Sequence, residues 1–423
     1  MSSGTSAGTD ALRDDVLALL AGDGDRLADP YPTWNRLREE IPVWKQGDVV
    51  ILSRHEHVHQ LLGDNNILYS RQGTKTSARY ERAKREFSPH GSAAFGRVLD
   101  QEFHQLVRMD PPDHPRVRRA VQPPFSARNL AREMQDKVSE RVDRNLTALA
   151  AGGGEADFKK FAYSLPLQVL GDLLGIPIDD LDMVHSWAQK IAENKFNADS
   201  ERAAVEADEA YRHLMTYIDV LVARQRASGS ETGLVAALLE SEDSGVVSHE
   251  EAMAMMALMI FAGHETTSNL LAIGLLELLR HPDQWDLLVA EPERVPAAVE
   301  ELLRFVTPAH FLPYVAKEGR EVDGVAVEAG DTVIGVLAAA NRDPAVFARP
   351  DELDIARSDS RAHVSLGLGP HFCLGAGLAR MEATALFGTI ARRFPGARPV
   401  EADLRWGGRS LRTPLAMPVR LLG

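Results

Sequence analysis

Apolar positions recur every three to four residues through most of the chain, so the pattern predicts a mainly helical protein. Up to about Leu27 the residues are mostly small and polar. That predicts a mobile tail over 1–27, ahead of one large unit over 28–423. "DPYPTWNRLREEIPV" places a proline at a helix start, with apolar residues at helical spacing behind it. In "VWKQGDVVILS" two apolar runs flank Gly47 and Asp48, the pattern of a hairpin. Residues 64–107 are charged and only weakly periodic. A loop of that length in a compact protein is usually functional or disordered. Helical patterns resume at Arg116 and run in blocks to about Arg226.

The longest apolar block predicts a helix from about Ser248 to Arg280. Ser248 with Glu251 three residues on forms a capping box. Such a helix spans roughly 50 Å. It is apolar almost all round, which places it centrally and buried. A further helix covers about Val295–Phe305, and "FLPYVA" and "GVAVEAGDTVIGV" read as short strands. A last long helix starts just after Cys373 and reaches about Arg393, and proline-rich strands close the chain. There is no internal repeat and no linker between two cores. The expected fold is mainly α with small β-sheets, a single large domain around a long central helix.

Charge and cysteine usage narrow the function. Lys+Arg total 47 against Asp+Glu 61, a net charge of −14. Nucleic-acid binding wants a basic face, so this balance argues against it. One cysteine makes neither an internal disulfide nor a multi-cysteine metal site. "MSSGTSAGTDALRDD" has neither the basic start nor the apolar core of a signal peptide. "VLALLAG" and "MAMMALMIFAG" are too short to span a bilayer. A cytoplasmic protein without membrane contact is expected.

The lone cysteine sits in "LGLGPHFCLG" (366–375). Glycines at 367 and 369 allow conformations that a β-carbon forbids. Cys373 lies just before a helix N-terminus, where backbone N–H groups and the helix dipole favour a thiolate. Physics alone leaves four roles open: nucleophile, redox centre, metal ligand or small buried hydrophobe. The spacing of Gly369, His371, Cys373 and Gly375 resembles the haem-binding loop of the cytochrome P450 family, F-G-x-G-x-H-x-C-x-G. Leu366 stands where the family has phenylalanine, keeping apolar shielding beside the sulfur but losing the ring.

Three further stretches resemble the same family in the expected order, covering the chain from about Asp29 to its end. In "AVEELLRF", Glu301 and Arg304 lie on one helix face and resemble the family's buried E-x-x-R pair, with Arg357 as its third member. Alone, such a pair is common on solvated helices. In "MDPPDHPRVRRAV", His114 and Arg118 share a face and resemble the residues that meet the haem propionates, with His371 as a third donor. The bland alternative is a basic surface helix. The family's strand arginine, another propionate contact, is replaced by Tyr314, which carries no charge. In "FAGHETTSN", residues 262–267 resemble the oxygen-activating segment. There Ala262 leaves room near the haem, and Glu265 with Thr266 form an acid–alcohol pair suited to a proton relay. The alternative is a polar helix–helix contact with satisfied hydrogen bonds. His264 reads as structural, since no second metal ligand sits at helical spacing.

The resemblance implies a haem-thiolate monooxygenase. It would bind haem b through Cys373, using His114, Arg118, Ala262, Tyr314, Leu366, Gly367 and His371, with Glu265 and Thr266 catalytic. Thiolate donation favours O–O cleavage. O2 and two electrons would be consumed in hydroxylating or epoxidising a small organic molecule, a natural product by family-level analogy. The chain carries no flavin or iron–sulfur motif, so a separate ferredoxin and ferredoxin reductase are implied, and a monomer is expected. Arg116, Arg119 and Arg380 are candidates for a docking patch, against a plain solvated face. The alternatives are an oxygen-independent isomerase or dehydratase of the same fold, or a haem-thiolate sensor. Neither needs the acid–alcohol pair. The 64–107 stretch, residues around 175–205, Met255–Ala262, "TPAHFLP" and the turn near Leu411 are expected to wall the pocket.

Overall fold

The computed structural model describes residues 3–64, 66–76, 78–152, 155–196, 200–229, 233–400 and 403–421. The central helix runs His249–Arg280, capped by Ser248, whose hydroxyl accepts from Glu251 N–H while Glu251 reciprocates. It is 32 residues long, about 48 Å at the standard rise. Nearly every position from Glu251 to Leu279 is buried, as the all-round apolar pattern requires. Helices Phe158–Leu174, Leu181–Phe196 and Ala376–Arg393 pack against it. Among the described residues, no helix is long and apolar enough to cross a membrane.

The main sheet contains β1 (Val43–Gln46), β2 (Val49–Leu52), β3 (Tyr69–Ser70), β4 (Phe311–Ala316) and β5 (Thr332–Val336), in the order β1-β2-β5-β4-β3. The expected hairpin is present: Gln46 pairs with Val49, and Gly47 closes the turn at φ +59°, open to any residue only at strain. β3 pairs antiparallel with β4, Tyr69 opposite Ala316 and Ser70 opposite Val315. The helix after the cysteine begins at Ala376, and short strands close the chain, Pro418–Arg420 pairing with Arg398–Pro399.

Two expectations are corrected. The tail is helical over Ser3–Ala21, with Leu12, Val16 and Leu19 buried. Those three sit at i, i+4 and i+7, a stripe that the polar start of the segment obscures. The 64–107 stretch is also largely helical, through Ala78–Glu86 and Pro89–Phe103. Ser88 caps the second of these ahead of proline at N1, and Ala94, Phe95, Val98 and Leu99 form its buried face. Charge on the outer face hid that pattern. In the basic part of this stretch Lys84 pairs with Glu81 and Arg82 with Glu86, all solvent-exposed.

Candidate active site

The cysteine loop is shaped by its glycines. Gly367 and Gly369 take φ +69° and +59°, in the left-handed region. A β-carbon on Gly367 would lie 3.3 Å from the His371 carbonyl. The Cys373 N–H donates to the Leu366 carbonyl at 2.8 Å, closing the loop on itself. Leu366 packs on the main core, half-buried. Burial pushes the Cys373 thiol up, partly offset by the Gly375 N–H, Arg118 and Arg380. A thiolate at the free site is therefore not favoured by the helix terminus alone, contrary to the expectation. Coordination to a metal would hold the deprotonated form.

Beneath the loop lies a closed polar network. Glu301 and Arg304 are both fully buried. Arg304 donates through Nε and Nη2 to the two Glu301 oxygens at 2.8 Å each. Its remaining hydrogens go to the carbonyls of Asn341 (3.0 Å), Pro350 (2.7 Å) and Glu352 (3.0 Å). All five guanidinium donors are thus used. Arg357 Nε reaches Glu301 at 3.2 Å, completing the expected triad. Sequence reasoning missed its neighbour Glu300. That carboxylate takes a fork from Arg380 at 2.6 and 3.0 Å and a bond from His363 at 3.3 Å. The helix Val295–Val306 therefore grips chain on both sides of the cysteine.

Above the loop the polar groups are differently placed. His114 and Arg118, on helix Asp113–Val121, both face it. The His114 and His371 rings lie 4.2 Å apart between centroids. Arg118 donates to the carbonyls of Pro370 (3.2 Å) and Phe372 (2.7 Å). His114 Nε2 is buried without a partner. Burial and the Arg118 charge hold His114 down to about 4, and burial followed by Arg71, His114 and Arg118 holds His371 down to about 2. Tyr314 is buried in β4, with Arg71 beside it. Sequence reasoning missed Arg71, and also Asn66 and Asp110, whose side chains bond to each other at 2.7 Å. None of the three belongs to a periodic pattern.

The central helix is less tightly covered near its middle. Phe261, Ala262, Gly263, Glu265 and Thr266 are only partly buried between fully buried turns. Thr266 Oγ1 donates to the Ala262 carbonyl at 3.0 Å, and Thr267 to Gly263 at 3.1 Å. Glu265 is raised by burial, against the pull of Lys159. Lys159 is lowered by burial to about 8, and its Nζ donates to Asn269 at 3.0 Å. His264 is buried, its Nε2 2.9 Å from the Tyr163 carbonyl and its ring stacked edge-on to Tyr163 and His185. No cluster of metal-ligating residues exists among the described residues. Of the docking-patch arginines, Arg116 is committed to Glu251 and Asp113, and Arg380 to Glu300. Arg119 alone is exposed without an acidic partner in contact.

Comparison with known proteins agrees with this arrangement. Residues 42–400 match the family model described as Cytochrome P450. The chain is 35% identical over 376 residues to 20-oxo-5-O-mycaminosyltylactone 23-monooxygenase of Streptomyces fradiae, covering 88% of this chain and 84% of that protein. It is 34% identical over 391 residues to pentalenic acid synthase of Streptomyces avermitilis, covering 90% and 92%. The crystal structure of CalO2 superposes with a TM-score of 0.84 at 30% identity, covering 94% of this chain and 97% of that one. The chain belongs to the cytochrome P450 family, and it is accordingly an oxidoreductase whose family carries haem.

The residues present fit that group. A thiol stands in a preformed loop, the central helix is only partly buried near its middle, and the cationic side holds an orphaned buried nitrogen on His114. Imidazole and guanidinium donors suit two carboxylates.

Proposed function

We propose that the chain is a haem-thiolate monooxygenase that inserts one oxygen atom of O2 into a small natural product, by hydroxylation or epoxidation. The observation that carries this reading is the partly buried stretch of the central helix. Part-buried Glu265 and Thr266 interrupt the fully buried apolar turns on either side of them. Cys373 would hold haem b, which would supply the oxygen-activating chemistry with two electrons from a separate ferredoxin and reductase. The chain's own residues do the rest. His114, Arg118 and His371 bind the carboxylates. Ala262 leaves room for a diatomic molecule and a water, whereas a β-carbon on Gly263 would lie 3.2 Å from Leu170, so that glycine serves helix packing. The Thr266 hydroxyl has committed its hydrogen to Ala262, so toward that room it accepts a hydrogen bond and holds a water in place. Glu265, raised by burial against the pull of Lys159, is placed to hold and pass a proton beside that lysine. The natural-product class is supported by the relatives named for a mycaminosyl-bearing lactone and for pentalenic acid.

The reduced protein with carbon monoxide is expected to show a red-shifted thiolate-type Soret band, and Cys373→Ala to lose it. Histidine-type spectra, or no haem, would sink the assignment. With a surrogate ferredoxin system, oxygen uptake should depend on the added substrate. Turnover without O2 would instead identify an isomerase or dehydratase.

A further inference from the structure

The strand position that supplies a propionate arginine elsewhere in the family holds Tyr314 here, yet a cation stands beside it. β3 pairs with β4 so that Tyr69 faces Ala316 and Ser70 faces Val315. One step further along this antiparallel register, Arg71 falls opposite Tyr314. Its guanidinium carbon lies 4.8 Å from the Tyr314 ring centroid. Nη1 donates to the Pro313 carbonyl at 2.6 Å and Nε to the Val107 carbonyl at 3.1 Å.

The backbone around Arg71 is tied to the cysteine loop. Asp110 accepts from the Arg71 N–H at 2.9 Å, from Asn66 Nδ2 at 2.7 Å and from the Ser70 hydroxyl. The same Asn66 nitrogen lies 3.4 Å from His371 Nε2. Arg71 therefore belongs to the cluster that already contains His371, His114 and Arg118. Asp110 acts on its charge only from beyond contact distance. Among the described residues, no carboxylate lies within 4.0 Å of its guanidinium, whereas nearby Arg108 has Glu102 at 3.3 Å. Two carbonyls supply dipoles but no negative charge. A guanidinium taken out of water without a counter-charge is expensive, so such a position points to an anion that completes it.

We infer that Arg71 binds a carboxylate of the haem, replacing from β3 the cation that Tyr314 removes from β4. The inference rests on haem binding through Cys373. Arginine suits this task because its planar fork can keep its two carbonyl bonds and still offer N–H groups to a carboxylate. Tyr314 then serves as the wall against which the guanidinium lies flat.

The test is the rate at which the ferric holoenzyme loses haem to excess apomyoglobin, for variants that retain the thiolate carbon monoxide band. Arg71→Gln should lose haem at least about tenfold faster, the equivalent of one charged hydrogen bond. Arg71→Lys, which keeps the charge, should lose it more slowly than Arg71→Gln. The deciding variant is Arg71→Gln with Tyr314→Arg, which returns the cation to β4 and should bring the rate back close to wild type. If Arg71 merely braces Val107 and Pro313, arginine at 314 cannot rescue that function. A wild-type loss rate in Arg71→Gln, or a double variant as leaky as the single one, would overturn the inference. Absence of the thiolate band in the wild type would instead remove the haem assignment on which it depends.

Discussion

The polar groups below the cysteine loop and those above it are built on opposite principles. Below, Glu301 sits fully buried with Arg304 and Arg357, and every donor of Arg304 has an acceptor. Above, among the described residues, Arg71 has no acid in contact with its guanidinium and His114 Nε2 has no hydrogen-bond partner, while Glu265 is raised by burial. Buried polar groups are costly unless satisfied, so a complete network and an incomplete one mean different things. The complete one is scaffold. It fixes where the chain enters and leaves the cysteine loop, and it has nothing left to offer a ligand. The incomplete one has capacity to spare in both charge and hydrogen bonding, which supports the proposal that cofactor, oxygen and protons are handled on that side.

Breaking the scaffold should have the largest effect. Arg304→Leu leaves the buried Glu301 carboxylate with Arg357 as its remaining cation and the Asp354 N–H, and it takes the donor from the Asn341 and Pro350 carbonyls, while Glu352 keeps Arg357 Nη2. Loss of one partner from a buried pair costs about 3–5 kcal/mol. The expected outcome is little or no folded holoprotein in a carbon monoxide spectrum, with a broadened or missing unfolding transition. A normal yield of holoprotein with an unchanged melting temperature would show that the network is not what holds the loop.

The contrast also explains what could be read from the chain. The central helix was legible because its capping box and all-round apolar run are local signals, and the structure places both as expected. The cysteine loop was legible because its glycines are dictated by φ values that only the local sequence can supply. Glu301 and Arg304 were legible as a spacing. Arg71 was not, because its significance comes from strand pairing across 243 positions of chain, and pairing register leaves no mark in a two-residue strand. Glu300 escaped for a related reason: its partners His363 and Arg380 come from different segments. The first helix was misread because three leucine and valine positions were outweighed by a polar lead-in. The pairing of Arg71 with Tyr314 also changes an expectation. Tyr314→Arg in the wild-type background would put two guanidinium groups side by side, so it should not tighten haem as the missing family arginine alone would suggest.

On the open side, the acid–alcohol pair should matter to coupling rather than to folding. Thr266→Ala removes the acceptor proposed to hold a water at this stretch of the helix. The variant should still bind substrate and still consume reductant, but product per electron should fall and hydrogen peroxide rise. Glu265→Gln should slow the entire cycle instead, because the group proposed to exchange protons beside Lys159 is gone. Positioned proton transfer contributes about 10²–10⁴-fold, so either defect is measurable well above background. Product, peroxide and reductant are followed in one assay for wild type and both variants. Full coupling in Thr266→Ala would assign the water-holding role to the substrate or to another residue. Full activity in both would remove the pair from the mechanism.

The smallest effect separates the two sides by pH. Burial alone would raise Glu300, but the hydrogen bonds and charges of His363 and Arg380 more than offset it and bring it down to about 2, from an ordinary value of 4.5. A carboxylate lowered on folding contributes stability that is fully present above its unfolded value and is lost as pH falls through its folded one. The window is therefore pH 4.5 to about 2, and the contribution is on the order of 3 kcal/mol at its upper limit. Glu300→Gln cannot titrate, so its stability should fall less steeply than that of the wild type across this window, with the gap between them largest above it. Urea unfolding of the holoenzyme at several pH values between 5 and the onset of acid denaturation supplies the measurement, since each midpoint reports stability at one pH. Parallel curves for the two proteins would mean that Glu300 is no better held folded than unfolded. The scaffold side would then owe its stability to Glu301, Arg304 and Arg357 alone.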